Sequence, residues 1–125
     1  MPQGTETILV VDDEPAVKTF VAEILRTCGY TVLEAAHGHE AIFALKKHSG
    51  TVDLLLSDLM MKWMNGRRTA EEIRALQPEV KILFMSGYTD DAFVRQNQQE
   101  GKSFFLAKPF TPNALAVKVR EVLDS

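Results

Sequence analysis

With 125 residues, 46% apolar and 25% charged, the chain has the make-up of one globular domain with a single sizeable core. A net charge of −3 without a basic cluster argues against a nucleic-acid surface, and no apolar run approaches the roughly 18 residues that span a bilayer. The lone cysteine, Cys28, excludes an internal disulfide and suits a reducing cytoplasm.

Residues 1–5 read as a short polar arm or linker rather than a signal peptide, with the folded domain expected over 6–125. The first apolar run, Ile8–Val11, predicts a strand. An amphipathic helix follows, with Val17, Phe20, Val21, Ile24 and Leu25 as its apolar stripe, Pro15 in its first turn and Gly29 at its C-terminal cap. Thr31–Ala35 predicts a second strand, and Ala41, Ile42 and Leu45 mark a second helix. A third strand is expected at Val52–Leu56, and a third helix from about Arg68 to Leu76, stopped before Pro78. Lys81–Met85 predicts the fourth strand and residues 91–99 a fourth helix poor in apolar residues. Ser103–Ala107 predicts the fifth strand, and a last helix starts at Thr111-Pro112 with Thr111 as its cap. Strict alternation of five strands and five helices implies an α/β fold, a parallel sheet covered on both faces.

In such sheets the ligand site lies at the carboxyl ends of the strands. Those ends carry Asp12-Asp13, Ala36, Asp58, Ser86 and Lys108. A nucleotide fold would place a glycine-rich turn after the first strand, where backbone N–H groups meet phosphate. Here Asp-Asp-Glu-Pro stands in that place and repels phosphate. Three convergent carboxylates instead favour a hard divalent cation, and Mg²⁺ takes carboxylate oxygens and water. A carboxylate beside a cation and an ammonium can act as nucleophile and form an aspartyl phosphate, so Asp58 is the expected nucleophile. Lys108 and the Ser86 hydroxyl are then placed to hold phosphoryl oxygens.

Four motifs, V-V-D-D-E at 10–14, S-D-L-M-M-K-W-M-N-G at 57–66, M-S-G-Y at 85–88 and F-L-A-K-P-F at 105–110, together resemble the receiver domain of two-component response regulators. The resemblance implies a flavodoxin-like doubly wound sheet of order 2-1-3-4-5. It also implies Asp58 as phosphoacceptor from a histidine kinase or histidine phosphotransfer domain, with Asp12, Asp13, Asp58 and the Met60 backbone carbonyl around Mg²⁺. By the same resemblance Ser86 and Lys108 contact the phosphoryl group, Phe105 is the switch aromatic and the bond before Pro109 is cis. The output face, toward an output domain or partner protein, is then built from the fourth and fifth helices and the fifth strand. The opening T-E-T-I-L-V-V-D-D-E and the M-S-G-Y-T-D-D segment look most like receivers attached to hybrid sensor kinases. Such a domain is a cytoplasmic signalling module that catalyses only its own phosphorylation and dephosphorylation.

Two departures stand out. Lys62 stands where this family usually has a proline, after the methionine matching Met61, and is expected to loosen the loop beyond Asp58. Trp63 is unusual there, and packing against Met61 and Met64 is its favoured reading. His37 and His39 lack a third ligand for zinc, and Cys28 reads as a packed small residue. Two rivals remain. An aspartyl-nucleophile phosphatase of the haloacid dehalogenase type would show D-x-D-x-T, but Asp13 is followed by Glu14-Pro15. A pseudo-receiver acting only through contacts would have lost an acid or the lysine, and this chain keeps them all.

Overall fold

The five strands are β1 (Thr7–Val11), β2 (Thr31–Ala35), β3 (Leu54–Asp58), β4 (Lys81–Ser86) and β5 (Phe104–Ala107). They pair in parallel in the order β2-β1-β3-β4-β5, a flavodoxin-like sheet. The structure is a computed structural model and describes residues 1–61, 64–87 and 104–125. Among the described residues the helices are α1 (Pro15–Thr27), α2 (Gly38–Lys47), α3 (Gly66–Leu76) and a C-terminal helix, Pro112–Leu123. The helix expected at 91–99 and the expected packing of Trp63 lie outside these residues, as does Lys62.

Strand alternation divides the core into two layers. Ile8, Val10, Leu54, Leu56, Leu83 and Met85 pack with Val21 and Leu25 of α1 and with Leu115 and Val119 of the C-terminal helix. Leu9, Val11, Leu55, Ile82 and Phe84 face the other way, onto Ala41 and Leu45 of α2 and Ala70 and Ile73 of α3. Both faces are covered, so a slip of one residue in any inner strand would exchange the two sets. That double burial is why the strands read as unbroken apolar runs.

Three expectations need correction. β3 begins two residues later than Val52. Val52 is buried for another reason: its N–H is taken by the Gln77 side chain (3.4 Å), and it packs among the α2 and α3 residues. Ladder pairing starts at Ile8 with Leu54, because Asp53 uses its carboxylate and its N–H to hold the backbone of Thr7 (2.9 Å each). Asp58 is therefore the last residue of the strand, paired with Met85, and not the first residue of a loop. Phe20 is the second correction. It lies at the edge of the α1 stripe and is 44% exposed. α3 also starts earlier than Arg68, at Gly66, where the Asn65 side chain accepts the N–H of Arg68 (2.9 Å) as its cap.

Gly29 ends α1 at φ 102°, a left-handed conformation that costs a residue with a side chain. The polar arm is tied down beside it. Gly4 N–H donates to the Cys28 carbonyl (3.1 Å), and Arg120 of the C-terminal helix donates to the Glu6 carboxylate (2.6 Å), the Gln3 carbonyl (3.2 Å) and the Tyr30 hydroxyl (3.3 Å). These contacts lie at the amino ends of the strands, opposite the acidic rim.

Candidate functional site

Asp12 follows β1 directly and is fully buried. Its N–H continues the ladder to Ala35 (3.2 Å), and one carboxylate oxygen accepts the N–H of Glu14 (2.9 Å), which turns the chain into α1. Asp13 is half-buried beside it. Asp58, held by the β3–β4 register, is buried, and carboxylate oxygens of Asp12, Asp13 and Asp58 all lie within 4.8 Å of one another. Lys108 follows β5, its backbone N–H on the Ser86 carbonyl (2.8 Å). Its Nζ stands 3.2 Å from Asp12 Oδ2 and 3.4 Å from Asp58 Oδ1. The Lys108–Pro109 bond is cis. Ser86 ends β4 and is buried; Met60 is exposed, just past Leu59, whose N–H is bound by the Met85 carbonyl (2.9 Å). Phe105 is half-buried against Phe84, ring centroids 5.5 Å apart. The sheet thus brings Asp12, Asp13, Asp58 and Lys108 into one cluster, with Ser86 and Met60 at the ends of adjoining segments.

The charges do not balance. Three carboxylates face one ammonium, two negative charges in excess in a partly dry site. Burial pushes the Asp58 carboxyl up from its ordinary 3.8 to about 6; Lys108 pulls it back, and Asp12 pushes it further up. Burial works against the charge on Lys108, but Asp58 and Asp12 together outweigh it and raise its pKa. Hard oxygen donors, close convergence and an excess of two negative charges match what a divalent cation such as Mg²⁺ requires. The donor set fits the ion.

Two features of the site had no signal in the sequence. Val17, Phe20, Lys108, Pro109 and Phe110 line an open, mainly apolar groove of about 370 Å³ that begins at the same Lys108. Helical spacing placed Phe20 in the core, because a period of 3.6 residues cannot separate the centre of a stripe from its edge. Gly66 is the second. A Cβ there would lie 2.4 Å from the Asp58 carbonyl oxygen, so the start of α3 rests directly on the backbone of the central carboxylate. Arg67 and Arg68, which oppose the helix dipole, stand near Glu71 (3.7 Å) and Glu72 (3.9 Å), one turn on.

The sequence profile of the response regulator receiver domain matches residues 8–120. The sensor kinase CckA of Brucella abortus is 41% identical over 121 residues, which are 97% of this chain and 13% of that protein. The transcriptional regulatory protein ZraR of Salmonella typhimurium is 32% identical over 98% of this chain and 27% of its own length. The chain therefore spans a small part of these relatives. Among solved structures, the receiver domain of the hybrid histidine kinase CckA superposes with a TM-score of 0.77 at 34% identity, over 94% of this chain and 98% of that one. The chemotaxis protein CheY4 of Vibrio cholerae gives 0.83 at 27% identity, over 95% and 99%.

The raised carboxyl at Asp58 has a stability consequence with a definite sign. Between about pH 4 and 6 the unfolded chain gives up this proton while the folded chain keeps it, so the group lowers stability as pH rises and the penalty is complete above 6. In metal-free buffer at pH 7, Asp58→Asn is expected to be more stable than the wild type by about 1–2 kcal/mol, part of the relief being offset by the lost attraction to Lys108. The gain should vanish near pH 4. Urea unfolding at the two pH values measures it, and a variant less stable at pH 7 would contradict the charge-excess account.

Proposed function

Because the chain belongs to the response regulator receiver domain family, we propose that it is the phosphoacceptor module of a two-component phosphorelay, loaded at Asp58 from the phosphohistidine of a kinase or phosphotransfer domain. The observation that carries this reading is Asp58 itself, at the end of a register-locked strand, 3.4 Å from the Lys108 ammonium and clustered with Asp12 and Asp13. Asp12, Asp13, Asp58 and the Met60 carbonyl are the residues that would hold Mg²⁺. When bound, Mg²⁺ neutralises charge on the phosphoryl oxygens.

The chain's own residues do the rest. An Asp58 carboxylate oxygen bonds to phosphorus as the N–P bond breaks, its electron pair staying on the departing imidazole. Lys108, already drawn toward Asp58, neutralises one phosphoryl oxygen, and the Ser86 hydroxyl binds another. The reaction needs the ionised carboxylate, the form that the Lys108 ammonium favours. The new phosphate brings about −2 charges to the rim. Ser86 and Phe105 form the switch that carries this to the face containing β5 and the C-terminal helix, where an output domain or partner protein reads it. The module works in the cytoplasm, on no substrate but itself.

Incubation with acetyl phosphate and Mg²⁺ should place one phosphate per chain, on Asp58, with none on Asp58→Asn. Intact-mass and peptide mass spectrometry decide it; full labelling of the variant would overturn the reading.

The Phe20 groove supports a protein donor, since an exposed apolar strip at the mouth of a charged site offers a partner helix buried area next to the transferring group. Phe20→Asp is expected to slow transfer from a phosphohistidine protein by about 10-fold or more while leaving acetyl phosphate labelling unchanged. Equal slowing with both donors would show that Phe20 serves the site and not the partner.

A further inference from the structure

Gly38 opens α2 at a buried position, where alanine would favour the helix more. Its missing side chain leaves room for something else. A Cβ there would stand 2.5 Å from Met64 Sδ, 2.5 Å from Thr69 Oγ1 and 3.0 Å from Met64 Cβ. Thr69 cannot step aside, being fully buried and β-branched, with its hydroxyl donating to the Asn65 carbonyl (3.1 Å). Met64 is itself buried and directly precedes Asn65 and Gly66. On its far side, Gly66 donates its N–H to the Leu59 carbonyl (2.8 Å) and lies against the Asp58 carbonyl. A continuous line of contacts thus runs from the first residue of α2, through Met64 and Thr69, to the backbone of Asp58 and Leu59.

We propose that Gly38 is a positioning residue for the phosphorylation site: by letting α2 close onto Met64 and Thr69, it fixes the Asp58–Met60 segment that supplies the nucleophile and the expected carbonyl ligand. This rests on the metal reading of the acidic cluster. The distance from Gly38 to the chemistry is bridged by backbone and buried side chains that have little freedom to absorb a displacement. An added methyl group must be taken up where the line ends, at the segment after Asp58. Residues that hold metal ligands from behind characteristically affect ion affinity even though they touch no ion.

The test is a ¹H–¹⁵N NMR titration of the full chain with MgCl₂, without phosphodonor, alongside thermal melts in metal-free buffer. Gly38→Ala should weaken Mg²⁺ binding by about 10-fold and shift the ion-free amide signals of Asp58, Leu59 and Met60. Met64→Ala, which loosens the same contact without crowding it, should also weaken binding, and it decides the matter if Gly38→Ala does not fold. Val122→Ala, in the opposite core layer, should lower the melting temperature and leave the Mg²⁺ affinity unchanged. Wild-type affinity in a folded Gly38→Ala, or in Met64→Ala where Gly38→Ala does not fold, would overturn the proposal while the metal reading stands. A wild-type chain whose site signals do not respond to Mg²⁺ would overturn both.

Discussion

Two buried carboxylates, Asp12 and Asp58, share one ammonium, and the rest of the molecule is arranged around that unequal contact. Left alone, Asp12 and Asp58 would repel each other and would each lose hydration. Lys108 offsets part of this cost but leaves an excess of two negative charges once Asp13 is included. A site in that condition is unfinished in a useful way. It favours a divalent cation, and it keeps at Asp58 a carboxylate that burial and the neighbouring Asp12 make costly to ionise.

The fold is what makes so costly an arrangement hold. β1, β3 and β4 are buried on both faces, so their register cannot slip, and Asp12 after β1 and Asp58 at the end of β3 cannot drift apart. Lys108 is set by the backbone bond from its own N–H to the Ser86 carbonyl, which ties β5 to β4 at the rim. The opposite end of the sheet is closed separately, by Arg120 with Glu6, Gln3 and Tyr30.

Much of this was legible in the residues themselves. Ile8–Val11 is apolar throughout and then turns abruptly to Asp12-Asp13, and that edge marks both a doubly buried strand and its exit onto the rim. The same edge after Leu54–Leu56 located Asp58, although the start of β3 was misplaced, because a buried Val52 looks the same in sequence whether it lies in a ladder or merely packs beside one. Phe20 was misjudged for a comparable reason, since periodicity reports the direction of a side chain and not how far the neighbouring element reaches over it. The contacts of Gly38 and Gly66 left no trace at all. They are facts about the distance between elements far apart in sequence, and a glycine at a helix start has several local explanations.

The electrostatic condition of Asp58 governs the rim, and it can be observed directly. Carboxyl ¹³C NMR titration of Asp58 in metal-free buffer should give a pKa of about 6, well above the ordinary 3.8, and saturating Mg²⁺ should bring it back to the ordinary range or below. An Asp58 carboxyl that titrates near 3.8 without metal and does not respond to Mg²⁺ would contradict the claim that this rim is a charge excess waiting for a cation.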